Sequence, residues 1–297
     1  RKLKTMKKMK EGMSKNIARK TPSISKVNTY KDFPLFSFIE LNINEICNRK
    51  CPFCPRVNPE KYPNQNIHMS VGTAEKIAEQ LVAIDFKGIV NISGTGEPLL
   101  TKYVPKIIEI FGSKGLHIEI VTNGDVLKRK KGTDLIKQMY SCGLSQLVVS
   151  MYDGPHQVEE FRNIFSSCQI SDKYYSLRDR WYDESENYGL LYTNRAGNLK
   201  NDAKYSKNAC YYTAYAMYVD YNGDVLLCCQ DMYNRTVKFG NVHSENLIDI
   251  WHDKKLNEYR QLLIGGSRNL SPCNNCNANG RIFGKEHKVA WEELDDN

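Results

Sequence analysis

The sequence predicts an α/β fold: a partial (β/α)6, TIM-like barrel, followed by a small unit made of a β-hairpin and a helix. Three observations carry this. From residue 37 to about 197, strand-like apolar runs alternate with amphipathic stretches of helical length, the pattern of βα units around a parallel sheet. Near residue 200 the alternation stops, and Asn222-Gly223, flanked by apolar runs, signals a hairpin. Seven of the 10 cysteines fall into two spaced groups, one in each part.

The chain divides into a basic tail (1–34), a barrel (35–200), a second unit (201–283) and a terminal segment (284–297). The tail explains the charge. Residues 1–20 hold nine Lys/Arg and one Glu, which is the whole net charge of +8. The rest of the chain is balanced, so nucleic acid is an unlikely partner and the tail reads as a solvated arm. Met6, Met9, Met13 and Ile17 recur at helical spacing, a weak hint of a docking face. No apolar run is long enough to cross a membrane. The basic start lacks the apolar core of a secretory signal, so a cytoplasmic location with reduced cysteines is expected.

In the barrel, strands are expected at 37–44, 87–94, 116–124, 144–154, 173–181 and 188–197, with helices at 73–84, 104–115, 133–143 and 155–165. Ser70 and Thr73 are candidate caps for the first helix, and Pro155 opens the last. In such barrels chemistry sits at the C-terminal strand ends. In the second unit, residues 215–231 form the hairpin, and 244–266 reads as one amphipathic helix ending in Gly-Gly.

The loop after the first strand, ICNRKCPFCPRV, places Cys47, Cys51 and Cys54 at C-x3-C-x2-C spacing. Three soft thiolates can hold a [4Fe–4S] cluster and leave one iron open to a small chelating ligand. The alternative is part of a zinc site completed elsewhere. The second group, Cys210, Cys228, Cys273 and Cys276, is spaced C-x17-C-x44-C-x2-C. The hairpin brings Cys210 and Cys228 together, and the helix returns the chain with the close pair. Four thiolates complete one site, and on ligand count it suits zinc or iron–sulfur.

The first loop, with Phe53 before its last cysteine, resembles the radical S-adenosylmethionine (SAM) superfamily. SGTGEP (93–98) at the second strand end resembles that family's Gly-Gly-Glu-Pro motif, with Thr95 where glycine is usual. The resemblance implies that the open iron binds SAM, and that reductive cleavage gives a 5′-deoxyadenosyl radical. It further implies that Gly94, Gly96 and Glu97 hold the SAM amino group, with Asn123 and Ser150 near its carboxylate or ribose. Asn123 and Ser150 are equally ordinary turn residues. The second cysteine group is similar to the SPASM/twitch extension. Ile282 stands where the longer form has a further cysteine, which implies the short twitch form with one auxiliary [4Fe–4S] cluster.

The architecture is similar to radical SAM enzymes that oxidise a secondary alcohol of an aminocyclitol. This implies a dehydrogenase, or an epimerase, acting on a carbohydrate-like small molecule and supplied with electrons by flavodoxin or ferredoxin. Arg195 is a candidate substrate anchor or proton acceptor. Cys229, beside Cys228, is either a buried apolar thiol or a hydrogen donor to a substrate radical. Cys142 and Cys168 read as structural. The competing expectation is a peptide- or protein-modifying enzyme. About 36 residues precede the first strand, fewer than a leader-binding domain needs, which favours the small-molecule reading. A non-catalytic metal scaffold would leave GTGEP unexplained.

Overall fold

The computed structural model describes residues 17–180, 193–200 and 207–295. Residues 1–16, with the Met6–Met13 stripe, and 188–192 of the last expected barrel strand lie outside the described residues.

The strands are β1 (Thr29–Tyr30), β2 (Phe33–Pro34), β3 (Phe38–Asn42), β4 (Ile89–Ser93), β5 (His117–Thr122), β6 (Gln146–Met151), β7 (Tyr175–Asp179), β8 (Ala216–Val219), β9 (Asp224–Leu226) and β10 (Lys238–Asn241). Between the barrel strands lie α1 (Val71–Ala83), α2 (Val104–Gly112), α3 (Gly132–Ser141) and α4 (His156–Ser167). The β3–β7 strands pair in parallel in chain order, as the alternation predicts. Parallel strands are covered by helices, which is why the first four residues of β4, IVNIS, are all buried. Ser70, and not Thr73, caps α1: its hydroxyl accepts from the Thr73 backbone N–H.

Three elements differ from expectation. Residues 193–200 form turns in place of a strand, and Arg195 and Ala196 both take positive φ. The sixth parallel strand is instead β8, which pairs with β3 on its other side. All four β8 residues are buried, so this strand gains more inside the barrel sheet than in a hairpin standing alone. The hairpin thus extends one sheet, ordered β10-β9-β8-β3-β4-β5-β6-β7. The single helix expected at 244–266 is two, α5 (Leu247–Trp251) and α6 (Lys254–Ile264). Asp253 breaks it by capping α6, accepting from Lys255 N and Leu256 N.

The basic arm is also shorter than expected. Residues 17–24 are helical, Ile24 is buried, and Arg19 pairs with Glu119 inside the barrel end. A closing helix, α7 (Lys285–Asp295), seats Trp291 against the Arg260 guanidinium, which stacks on Trp251 as well.

Candidate active site

The loop after β3 is fastened before it reaches its cysteines. Arg56 is 3% exposed; it donates to the Thr95 carbonyl at 2.6 Å and pairs with Glu45. Glu45 also pairs with Arg235, which bonds Asp220 at 2.5 Å. This network ties the cysteine loop to the β8–β9 turn and to the segment after the hairpin that carries Arg235. Further out, Arg49 makes paired hydrogen bonds to Asp125 and to Asp153, at 2.6–2.7 Å, linking the loop to the ends of β5 and β6.

Cys47, Cys51 and Cys54 are half-buried and unbridged. Cys47 N and O are both bonded by the Asn64 amide at 2.9 Å, and Cys54 Sγ lies 3.0 Å from the Tyr233 hydroxyl. Burial pushes the Cys47 thiol up to about 11, so a bound metal must displace its proton. Among the described residues no three His, Cys, Asp or Glu side chains converge on a single metal ion. Three thiols on one short loop suit a cluster with an open corner.

The SGTGEP loop is stitched onto the strand before it. A side chain at Gly96 would fall 1.7 Å from Asn44 Oδ1, and Gly94 has φ +114. Thr95, the departure from the usual glycine, is buried: its N–H donates to Asn42 Oδ1 and its hydroxyl to Asn42 and Glu45. Glu97 is 2% exposed. Its carboxylate accepts from the Thr122 hydroxyl at 2.6 Å, from Asn123 N at 2.8 Å and from Leu99 N at 3.1 Å. Burial raises its carboxyl above the usual range. Asn123 donates its side-chain amide to Asn48 at 2.9 Å. Gly96, Glu97 and Asn123 thus join the β4, β5 and cysteine loops to one another.

Phe53, Gly94, Ser150, Arg195 and Cys229 meet in one cleft of about 330 Å³ at the C-terminal strand ends. Phe53 stacks on Tyr152 at 5.6 Å. The size and mixed lining fit an adenosyl ligand beside a small polar molecule. Sequence reading missed Glu40, Arg178 and Tyr233, which share this cleft. Glu40 had a signal: it is the charged residue within the apolar run FIELN, at an inward register position. Arg178 sits two residues further along β7 than Ser176 on the same face, and its isolated charge gave no comparable contrast.

Cys210, Cys228, Cys273 and Cys276 are all buried and line one separate cavity. Ala278 N points at Cys276 Sγ from 3.4 Å. A Cβ at Gly280 would lie 2.3 Å from Cys210 Sγ, so the backbone is drawn close around the sulfurs. Burial raises all three of the Cys210, Cys228 and Cys273 thiols, Cys273 to about 12. Arg268 is the nearby cation, anchored on the Asn208 and Ala278 carbonyls. Four sulfurs gathered around one cavity fit an iron–sulfur cluster fully held by protein. Cys228 and Cys229 line different cavities, although β9 ends before them. Gln230 lines both. Cys142 and Cys168 line neither.

Comparison with known proteins agrees with this geometry. Residues 41–165 match the radical SAM superfamily, and residues 210–277 match SPASM, an iron–sulfur cluster-binding domain. The chain is 30% identical over 257 residues to the S-adenosyl-L-methionine-dependent 2-deoxy-scyllo-inosamine dehydrogenase of Niallia circulans, covering 82% of this chain and 93% of that protein. The crystal structure of BtrN in complex with AdoMet and 2-DOIA superposes with a TM-score of 0.70 at 27% identity, over 86% of this chain and 98% of BtrN. The structure of anSMEcpe with bound AdoMet and Cp18Cys peptide superposes at 0.50 with 14% identity, over 87% of this chain and 95% of that one, which is a likeness of fold alone. This chain is an enzyme that uses SAM and two iron–sulfur clusters, and it belongs to the radical SAM superfamily, in the branch with a C-terminal SPASM-type cluster domain.

Proposed function

We propose that this enzyme oxidises a secondary alcohol of an aminocyclitol or similar sugar-like molecule to a ketone. The observation that carries this is the wall between the two cavities. The cleft that takes SAM and substrate shares Gln230 with the cavity of four cysteines, so a substrate radical forms beside a one-electron acceptor. Likeness to the Niallia circulans dehydrogenase supports the substrate class.

On this reading Cys47, Cys51 and Cys54 hold the SAM-binding cluster, and Cys210, Cys228, Cys273 and Cys276 hold the auxiliary one. When bound, these groups supply a 5′-deoxyadenosyl radical and an acceptor for one electron. Gly94, Phe53 and Ser150 shape the adenosyl end of the cleft; Gly96, Glu97 and Asn123 hold its loops in register. Arg195 anchors the substrate, because a guanidinium keeps its protons and donates hydrogen bonds. Glu40, facing Arg195 across the cleft, is the better proton acceptor. A cytoplasmic one-electron donor such as flavodoxin or ferredoxin completes the proposal.

The test is anaerobic turnover of the reduced holoenzyme with SAM and 2-deoxy-scyllo-inosamine. The expected result is one 5′-deoxyadenosine per ketone. Stimulation by peptides and by no polyol would overturn the reading. Cys229 supports a second one, epimerisation. Its thiol lines the cleft, and burial together with Glu40 pushes it up to about 12, so it stays protonated and able to donate hydrogen. Solvent deuterium at the reacting carbon, lost in Cys229→Ala, would decide for the epimerase; ketone with no deuterium uptake decides for the dehydrogenase.

A further inference from the structure

Beneath the cleft the barrel interior is polar. Layers of branched apolar side chains ordinarily fill such barrels. Here Glu40 pairs with Asn91, and Asn91 with Glu119, on three adjacent parallel strands. Register partners project from the same face of a sheet, and Glu40 lines the cleft, so all three face the lumen. Asn91 is 2% and Glu119 3% exposed. Yet Asn91 Oδ1 and Glu119 Oε2 have no hydrogen-bond partner. Buried acceptors of this kind mark sites for water or a passing proton.

The other end of the barrel supplies the rest. The 17–24 helix sends Lys20 into the lumen, its Nζ 4.4 Å from the centre of the Phe38 ring. Phe38 lies two residues before Glu40, on the same strand and face. The charges around Lys20 are Glu119, Arg19, Glu40 and Arg178. Those around Glu40 are Lys20 and Arg195, with the Cys229 thiol also close. Arg19 bonds Glu119. His117 opens β5 at the barrel end, half exposed, with Nε2 3.6 Å from Glu119 Oε1.

We propose that Glu40, Lys20, Glu119 and His117 form a proton path from the cleft to the opposite face of the barrel. It rests on the dehydrogenase reading. The alcohol then loses three things. A hydrogen atom leaves its carbon and forms the new C–H bond of 5′-deoxyadenosine. The hydroxyl proton passes to Glu40 and out along the barrel. The remaining electron goes to the acceptor held by the four cysteines, and the C=O bond forms. Burial raises the Glu40 carboxyl and lowers the Lys20 ammonium to about 8, which brings the two groups together in proton affinity.

The test uses the reduced holoenzyme with SAM and 2-deoxy-scyllo-inosamine carrying deuterium at the reacting carbon. Lys20→Met should keep deuterium transfer into 5′-deoxyadenosine while ketone formation falls at least tenfold. The acid limb of its pH profile should move to higher pH, because Glu40 has lost the cation that favours its charged form. Glu119→Gln should instead move the alkaline limb to lower pH, because the carboxylate that raises the proton affinity of Lys20 is gone, and ethylammonium should restore Lys20→Ala. Wild-type profiles in both variants, with no response to the amine, would overturn the path. If the wild type does not oxidise this alcohol, the substrate reading fails by itself. The path is then read in substrate-free holoenzyme by NMR of ¹³Cε-labelled lysine. A Lys20 midpoint that falls in Glu40→Gln supports it, and a midpoint unmoved by that change overturns it.

Discussion

The two cysteine groups differ in almost every physical respect. The first is three thiols on one loop, half exposed, beside the cleft whose Tyr233 is touched by Cys54. The second is four thiols from three separated segments, all buried around one cavity. The first is held by its loop being tied down: Arg56, Glu45 and Arg235 lie behind it, and Arg49 clamps it to two strand ends. The second is held by the fold itself, through β8, α6 and the turn that carries Cys273 and Cys276. An open group suits a metal centre that must bind and release a small ligand. A closed group suits one that only exchanges electrons.

That contrast can be broken by mutation, and the largest effect belongs to the open group. Cys51→Ala should abolish 5′-deoxyadenosine formation, a loss of at least about a thousandfold, because no other described residue replaces the ligand. The fold and the auxiliary cluster should survive, so iron content falls to about half and thermal unfolding barely moves. Cys276→Ala should do the reverse. Hydrogen abstraction should persist at reduced rate, while ketone formation is lost and the unfolding temperature drops sharply, since the cluster joins distant segments. If Cys276→Ala left stability unchanged, the closed group would not be structural.

How much of this was legible depended on how local each feature is. C-x3-C-x2-C after a strand and the GTGEP turn are contiguous, and both were readable with their elements. The four-cysteine group was readable because an Asn-Gly hairpin announces where two of its members meet. The pairing of β8 with β3 was not, because parallel pairing across 178 positions leaves no pattern in either strand; only the complete burial of Ala216–Val219 demands it. The fate of residues 17–24 was hidden by their charge. Arg19 and Lys20 read as solvated ends, yet each meets a carboxylate that the barrel turns inward, and no periodicity reports that. Glu97 was readable as special, although its hydrogen bonds to β5 show a fastening duty that the motif does not suggest.

The support behind the open group should be worth measuring next. Arg56→Met removes one cation from a buried network but leaves Glu45 its pair with Arg235. The expected cost is about 3 kcal/mol, the low end for breaking a buried pair, read by denaturant unfolding. SAM binding should weaken together with stability, because the Thr95 carbonyl loses its donor. Arg235→Met should cost less, being the more exposed of the two cations. Equal effects would mean that the network acts as one unit.

His287 on α7 is fully buried near the Tyr215 ring, 6.3 Å between centroids. Desolvation there lowers its pKa from 6.5 to about 4. A neutral imidazole in the fold and a protonated one in the unfolded chain means that unfolding takes up a proton between these values. Stability is therefore intact above pH 6.5 and declines as pH falls toward 4, by about 3 kcal/mol in all. His287→Leu should flatten that decline and leave behaviour above pH 7 little changed. Because α7 packs behind the element carrying Tyr215, the auxiliary cluster should bleach in parallel with this loss, whereas the open group should respond only when the whole chain unfolds. Identical acid sensitivity in the wild type and the leucine variant would place the acid-labile contact elsewhere.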